Sequence, residues 1–173
     1  MKKSLFIIIF FFFLSFANAS EFIISNVPFY PSEDNQCGPT SMAMVLNFLG
    51  IKVTPAEISK AIYSKGAGGT SDFDMMLHAK KLGLKSENYK GSLLDLKSKI
   101  KRGIPLIVMV DEGFWFYKKY HYMVVFGFNE KEIIVHSGKN EMQRIKIETF
   151  IKKWEKANFW TFLIYKGEKN GNP

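Results

Sequence analysis

The only cysteine in 173 residues stands in Gln36-Cys37-Gly38-Pro39-Thr40-Ser41, immediately ahead of an amphipathic run. A thiolate at a helix start is stabilised, because unpaired N–H groups and the helix dipole favour negative charge there. Pro39 suits a first helical turn, where its missing N–H costs nothing. Gly38 leaves room for close approach beside the sulfur. A cysteine that attacks an acyl carbon also needs a base or an ion-pair partner. His121 opens the apolar run Tyr122 to Phe128, so its ring sits at a sheet edge where a helix end could meet it. Each residue has a plainer reading, Cys37 as a small buried hydrophobe and His121 as a polar strand opener. The Gly-Pro context and the pairing of the two favour nucleophilic catalysis.

Those two residues need a scaffold, and the chain supplies one domain. Met1-Lys2-Lys3 is a basic lead, Leu5 to Phe16 is almost wholly apolar, and Ala17-Asn18-Ala19 has the small-x-small pattern of a cleavage site. The reading is a signal peptide over 1–19, a folded domain over 20–166 and a polar, disordered tail over 167–173. The apolar run is shorter than the roughly 20 residues of a membrane span. An uncleaved anchor is the lesser alternative. No cysteine follows it where a lipoprotein signal would need one. Export, to a periplasmic or extracellular site, changes what Cys37 means. Cysteines in oxidising compartments come in pairs, so a lone one is a free thiol, an intermolecular bridge or an inert buried residue. The formal charge is +8, or +6 without Lys2 and Lys3. The lysines are scattered, and no aromatic-interleaved basic motif points to nucleic acid. At most, a weak attraction to anionic wall or membrane surfaces follows.

The mature segment reads as helices followed by strands. Phe22 to Val27 is a strand or extended arm, and Pro28 and Pro31 keep the backbone extended on its way to Cys37. A helix over Gly38 to Leu49 stops at Gly50 and turns Met42, Val45, Leu46 and Leu49 to the core, with Met44 and Phe48 as additions. Thr54-Pro55-Ala56-Glu57 is a capping box for a helix to Tyr63. The Gly66–Gly69 loop lacks the lysine and spacing of a phosphate loop and forms a rim. A helix capped by Thr70 or Ser71 buries Met75, Met76, Ala79 and Leu82, and carries His78 as a surface or packing residue. A weak strand over Leu84 to Tyr89 and a helix over Leu93 to Arg102 come next. Pro105 to Val110 is a buried strand. The loop 111–120 carries Phe114-Trp115-Phe116-Tyr117, which either line a groove or pack beneath the loop. Strands over His121–Phe128, Ile133–Ser137 and Met142–Ile147 form a meander, a helix spans Glu148–Lys156, and Phe159–Tyr165 closes the sheet. The class is α+β.

Val27-Pro28-Phe29-Tyr30, Gln36 to Ser41 and His121 to Phe128 together resemble the bacteriocin-processing cysteine peptidase family. That family includes the papain-like domain that cuts double-glycine leader peptides in bacteriocin ABC exporters, and many stand-alone relatives. The resemblance runs from about residue 26 to residue 165. It implies a papain-like fold with N-terminal helices packed on an antiparallel sheet, Cys37 as nucleophile and His121 as base and acid. Two positions depart from the family pattern. Its imidazole-orienting aspartate, often Asp-Pro, is Ser137-Gly138 here. A hydroxyl can accept the ring N–H but cannot stabilise an imidazolium as a carboxylate does. His136, next door, is turned to the other face by strand alternation. The Ser-Gly version resembles an exported subgroup. The family's oxyanion-hole glutamine, six residues before the cysteine, is replaced by Pro31. Gln36 or Ser32 is then the candidate donor beside the Cys37 N–H.

Three histidines without His-x-x-x-His spacing and one cysteine argue against zinc, and no cofactor is expected. The expected partner is a peptide or protein substrate, with a separate ABC exporter for any transport, and the chain is expected to be a monomer. Two other functions fit the same residues. One is a papain-like acyl-transfer enzyme of another kind, such as a cell-wall amidase or a transglutaminase-like protein. The other is a degenerate domain that binds a peptide without cutting it.

Overall fold

The structure, a computed structural model, describes residues 20–33 and 35–167. The expected signal peptide, and the expected tail beyond Gly167, lie outside the described residues.

The approach to Cys37 is a short strand, β1 (Phe22–Ile23), and then an extended arm. Helix α1 spans Cys37–Phe48, so Cys37 is its first residue rather than the one ahead of it. Every residue from Gly38 to Leu46 is buried. The expected one-sided stripe of Met42, Val45 and Leu46 is therefore only part of a helix enclosed all round, and Leu49 at its end is half-buried. Helix α2 (Pro55–Ile62) starts on the anticipated capping box, in which Thr54 and Glu57 exchange hydrogen bonds between side chain and backbone. Ser71, not Thr70, caps α3 (Asp72–Lys81) by accepting from the Asp74 N–H. α3 buries only Met75 and Ala79, and Met76 stays 38% exposed. Its contacts are mainly with strand β2 (Leu84–Lys90), and a helix on one strand at the rim covers a narrow stripe.

Helix α4 (Leu93–Lys101) follows, capped by Ser92. Its lysines are not simply solvated: Lys97 lies over the Phe128 ring and Lys101 over Phe22, about 5 Å from each centroid. Strands β3 (Leu106–Asp111), β4 (Tyr120–Phe128), β5 (Glu132–Ser137) and β6 (Asn140–Lys146) form the antiparallel meander. β3 pairs with β4 as far as Val125, and β1 takes up Gly127 and Phe128 beyond it. Gly127 is required there, since a Cβ would come within 2.9 Å of the Phe22 carbonyl oxygen.

Helix α5 (Ile147–Lys156) leads to β7 (Trp160–Lys166), where the sheet departs from a simple meander. The strand order is β2-β7-β3-β4-β5-β6, so β7 lies inside the sheet between β2 and β3. α5 makes this possible by packing on β3 and carrying the chain back from the far edge. The pivot is Trp154, which is fully buried. Its Nε1 donates to the Trp160 carbonyl at 3.0 Å, and its ring meets Phe150 and Phe159. Gly91 lies against the same ring, where a Cβ would clash.

Replacing Trp154 by alanine opens a cavity under β7 and strands a carbonyl, and is expected to cost about 3–5 kcal/mol. Urea denaturation measures it. A cost below about 1 kcal/mol would mean that α5 and β7 do not depend on this ring.

Candidate active site

Three observations build the site: how α1 begins, where β4 begins, and what ends β5. The start of α1 carries no side-chain cap and no acidic residue in its first turn. Its first N–H groups are thus left for another acceptor. The N–H groups of Cys37 itself and of Gly38, with that of Tyr122 in β4, act on the Cys37 sulfur. Gly38 permits this close approach. A Cβ there would sit 3.0 Å from Thr70 Cβ and 3.4 Å from the Tyr122 ring. Thr70 ends the glycine loop, and its carbonyl accepts from the Tyr122 hydroxyl at 3.4 Å. The loop therefore reaches the nucleophile's helix through Thr70.

His121 is the second residue of β4, and Ser137 is the last of β5. His121 Nε2 and Ser137 Oγ are 3.0 Å apart. Alternation along β5 sends His136 the other way, as expected. There its ring is buried, stacked on Phe126 and beside Phe29. Its Nε2 lies 3.2 Å from the Val27 carbonyl, and its Nδ1 accepts the Met142 N–H. The two contacts together require neutral imidazole with the proton on Nε2. His136 thus ties the arm ahead of Cys37 to β6, at the irregularity in the β5–β6 register.

Cys37, His121 and Ser137 line one cleft of about 440 Å³. Two larger hollows, about 680 and 610 Å³, contain none of the three. Ser32 lines the Cys37 cleft as well, but its hydroxyl donates to the Glu33 carbonyl, and its N–H is bonded to the Gly138 carbonyl. Gln36 instead lines a separate depression with Pro31, Thr40 and Pro55. Of the two candidate oxyanion donors, only Ser32 shares the cleft with the sulfur.

Sequence reasoning missed Glu112 and Lys119, which face each other across the β3–β4 loop and line the same cleft. Glu112 is held by Lys153 at 3.1 Å. The signal was indirect: Val110 pairs with His121, so the next residues of the hairpin must flank the histidine. Asn140 and Gln143 add carboxamide donors from β6.

Burial opposes the expected stabilisation of a thiolate at the helix start. Burial pushes the Cys37 thiol up, against the pull of the Tyr122, Gly38 and Cys37 N–H groups, and the Glu112 carboxylate adds to the rise. Burial also pushes the His121 imidazole down, opposed by Glu112 and reinforced by Lys119 and Lys153. Desolvation disfavours both charged forms. In the tautomer whose Nε2–H donates to Ser137 Oγ, the neutral imidazole has Nδ1 free to take a proton.

Comparisons with known proteins bear on the family and the fold. The model of the Peptidase_C39 like family matches residues 24–161. The chain belongs to that family. A crystal structure of a C39-like peptidase from Bacillus anthracis superposes with a TM-score of 0.73 at 20% identity, covering 87% of this chain and 100% of that one. The peptidase domain of Streptococcus ComA, a bifunctional ABC transporter of quorum sensing, gives 0.67 at 23% identity, covering 82% and 99%. A double glycine motif protease from an AMS/PCAT transporter, solved with a leader peptide, gives 0.66 at 18% identity, covering 86% and 99%. Among curated proteins none matches the sequence. The fold is thus the papain-like C39 peptidase fold, helices on an antiparallel sheet.

A carboxylate at position 137 would lie within hydrogen-bond reach of His121 and favour imidazolium. Ser137→Asp is expected to move the His121 titration from below its ordinary 6.5 to above it, read from the ring proton shifts by NMR. An unchanged midpoint would show that position 137 does not govern the ring.

Proposed function

We propose that this C39-like domain is an exported cysteine peptidase that cleaves a peptide bond through Cys37 and His121. The observation that carries the reading is the orientation of His121. Ser137 engages Nε2 at 3.0 Å, leaving Nδ1 for the thiol in the shared cleft. Export rests on the basic lead and apolar run of residues 1–19.

In the proposed reaction, Nδ1 of His121 takes the Cys37 proton as Sγ attacks the carbonyl carbon. The oxygen gains the displaced electron pair, and the N–H groups at the start of α1 stabilise it, with Asn140 or Gln143 as further cleft donors. On collapse, the imidazolium returns its proton to the leaving nitrogen, and the acyl group remains as a thioester on Cys37. Water, deprotonated by His121, releases the acid and restores the thiol. Ser137 fixes the ring but carries no charge. The imidazolium is therefore stabilised by Glu112, which raises the His121 pKa. The double glycine motif protease and its leader peptide support a peptide substrate, delivered by or handed to a separate ABC exporter.

One observation favours a second reading: a hydroxyl stands where the family has a carboxylate, as in a domain that binds peptide without cutting it. Incubation with double-glycine leader peptides and a random peptide library separates the two. Cleavage is expected, absent in Cys37→Ala and reduced about 10²–10⁴-fold in His121→Ala. Peptide binding of equal strength to the natural chain and to Cys37→Ala, with no product from either, would overturn the peptidase in favour of the binding domain.

A further inference from the structure

The loop between β3 and β4 presents Phe114, Trp115, Phe116 and Tyr117 at 83, 90, 92 and 67% exposure. Four consecutive aromatics that stand almost wholly in water are not packing beneath a loop. They do not line the Cys37 cleft either. The loop is held in this posture from its base. The buried Asp111 carboxylate accepts the Gly113 and Lys119 N–H groups, and Glu112 N–H donates to the Lys119 carbonyl. A turn from Phe114 to Tyr117, with Trp115 in the left-handed region at φ 57°, brings neighbouring rings side by side at 6.3 Å. The result is an exposed aromatic tip on a closed stem.

Lysines collar that stem. Lys118 lies over the Tyr120 ring and Lys119 closes the base. From α5, Lys156 donates to the Gly113 carbonyl and Lys153 pairs with Glu112. With Lys153 paired to Glu112 and the Asp111 carboxylate buried and bonded to backbone, Lys118, Lys119 and Lys156 have no ion-pair partner among the described residues. Tryptophan, tyrosine and phenylalanine at a tip with lysines behind them match the layering of a bilayer surface. The rings fit the headgroup and upper acyl region, and the ammonium groups fit anionic phosphates. None of the four rings lines any of the four hollows of this surface, so they do not form a groove for a peptide.

We propose that the Phe114–Tyr117 tip inserts into the interface of an anionic lipid bilayer, with Lys118 and Lys156 seated on its phosphates. No described helix is long and apolar enough to cross a membrane, so the contact is peripheral. Glu112 and Lys119 belong both to the stem and to the cleft, so insertion seats the Cys37 cleft at the membrane surface. This last consequence rests on the peptidase reading, but insertion itself does not.

Trp115 is its own reporter, because Trp154 is fully buried and Trp160 half-buried. The full chain is mixed with phosphatidylglycerol vesicles carrying brominated acyl chains, and tryptophan emission is recorded against a Trp115→Phe control. The difference isolates residue 115 even where the apolar N-terminal run also holds the chain on vesicles. A blue shift and bromine quenching assigned to Trp115 are expected. Half-quenching should need about tenfold more lipid in Phe114→Ser/Phe116→Ser, and more again in phosphatidylcholine or high salt. Trp115 emission that stays red and unquenched on vesicles carrying the protein would overturn the proposal. So would a shift produced by leader peptides and not by vesicles, which would assign the tip to a peptide. Neither outcome depends on cleavage activity.

Discussion

The start of α1 is the constraint on which the rest of this molecule depends. A helix N-terminus left uncapped carries N–H groups without a side-chain acceptor, and here those groups favour negative charge on the sulfur of its own first residue. Bringing that sulfur to β4 sets Gly38 close against Thr70 and Tyr122, where a Cβ would be 3.0 Å from Thr70 Cβ and the neighbours would have to give way. It also forces α1 into the centre of the domain, buried on every side through Leu46. The sheet then has to present His121 at the right strand end, and the β4–β5 pairing brings Ser137 up beside it. His136, one residue earlier, locks the arm that leads to Cys37.

Burial shapes the chemistry as much as geometry does. A helix start favours a thiolate, yet the same enclosure that places Cys37 there removes the water that would solvate its charge. Desolvation is the largest influence on both Cys37 and His121, and it disfavours the charged form of each. The N–H groups and Glu112 oppose it, one set for the anion and the other for the cation. The cleft is arranged to stabilise charge as it forms, not to hold it at rest. Serine at 137 fits this balance, because a neutral ring needs orientation more than it needs a counter-charge.

Much of the site was legible in the sequence because its signals are local or alternate simply. Cys37 with Gly38-Pro39 marks a helix start, His121 ahead of an apolar run marks a strand end, and period-two alternation separates Ser137 from His136. The Thr54–Glu57 capping box was equally readable. Non-local features were not. β7 lies between β2 and β3 because α5 docks through Trp154, a tertiary contact that no window of sequence contains. Glu112 looked like any loop carboxylate until the hairpin register placed it beside His121. The raised thiol was invisible for the same reason, since burial is a property of the assembled fold. Met76 failed the helical stripe because α3 meets one strand only.

The central claim is that His121 serves as the base for Cys37, and the pH dependence of Cys37 alkylation tests it most directly. The account predicts two limbs. The rate rises first as the imidazole loses its proton below its ordinary 6.5, reaches a plateau, and rises again as the buried thiol itself ionises above its ordinary 9.0. In His121→Ala only the alkaline limb should remain. A single alkaline limb in both proteins, at the same rate, would contradict the account and leave Cys37 a buried thiol with no base.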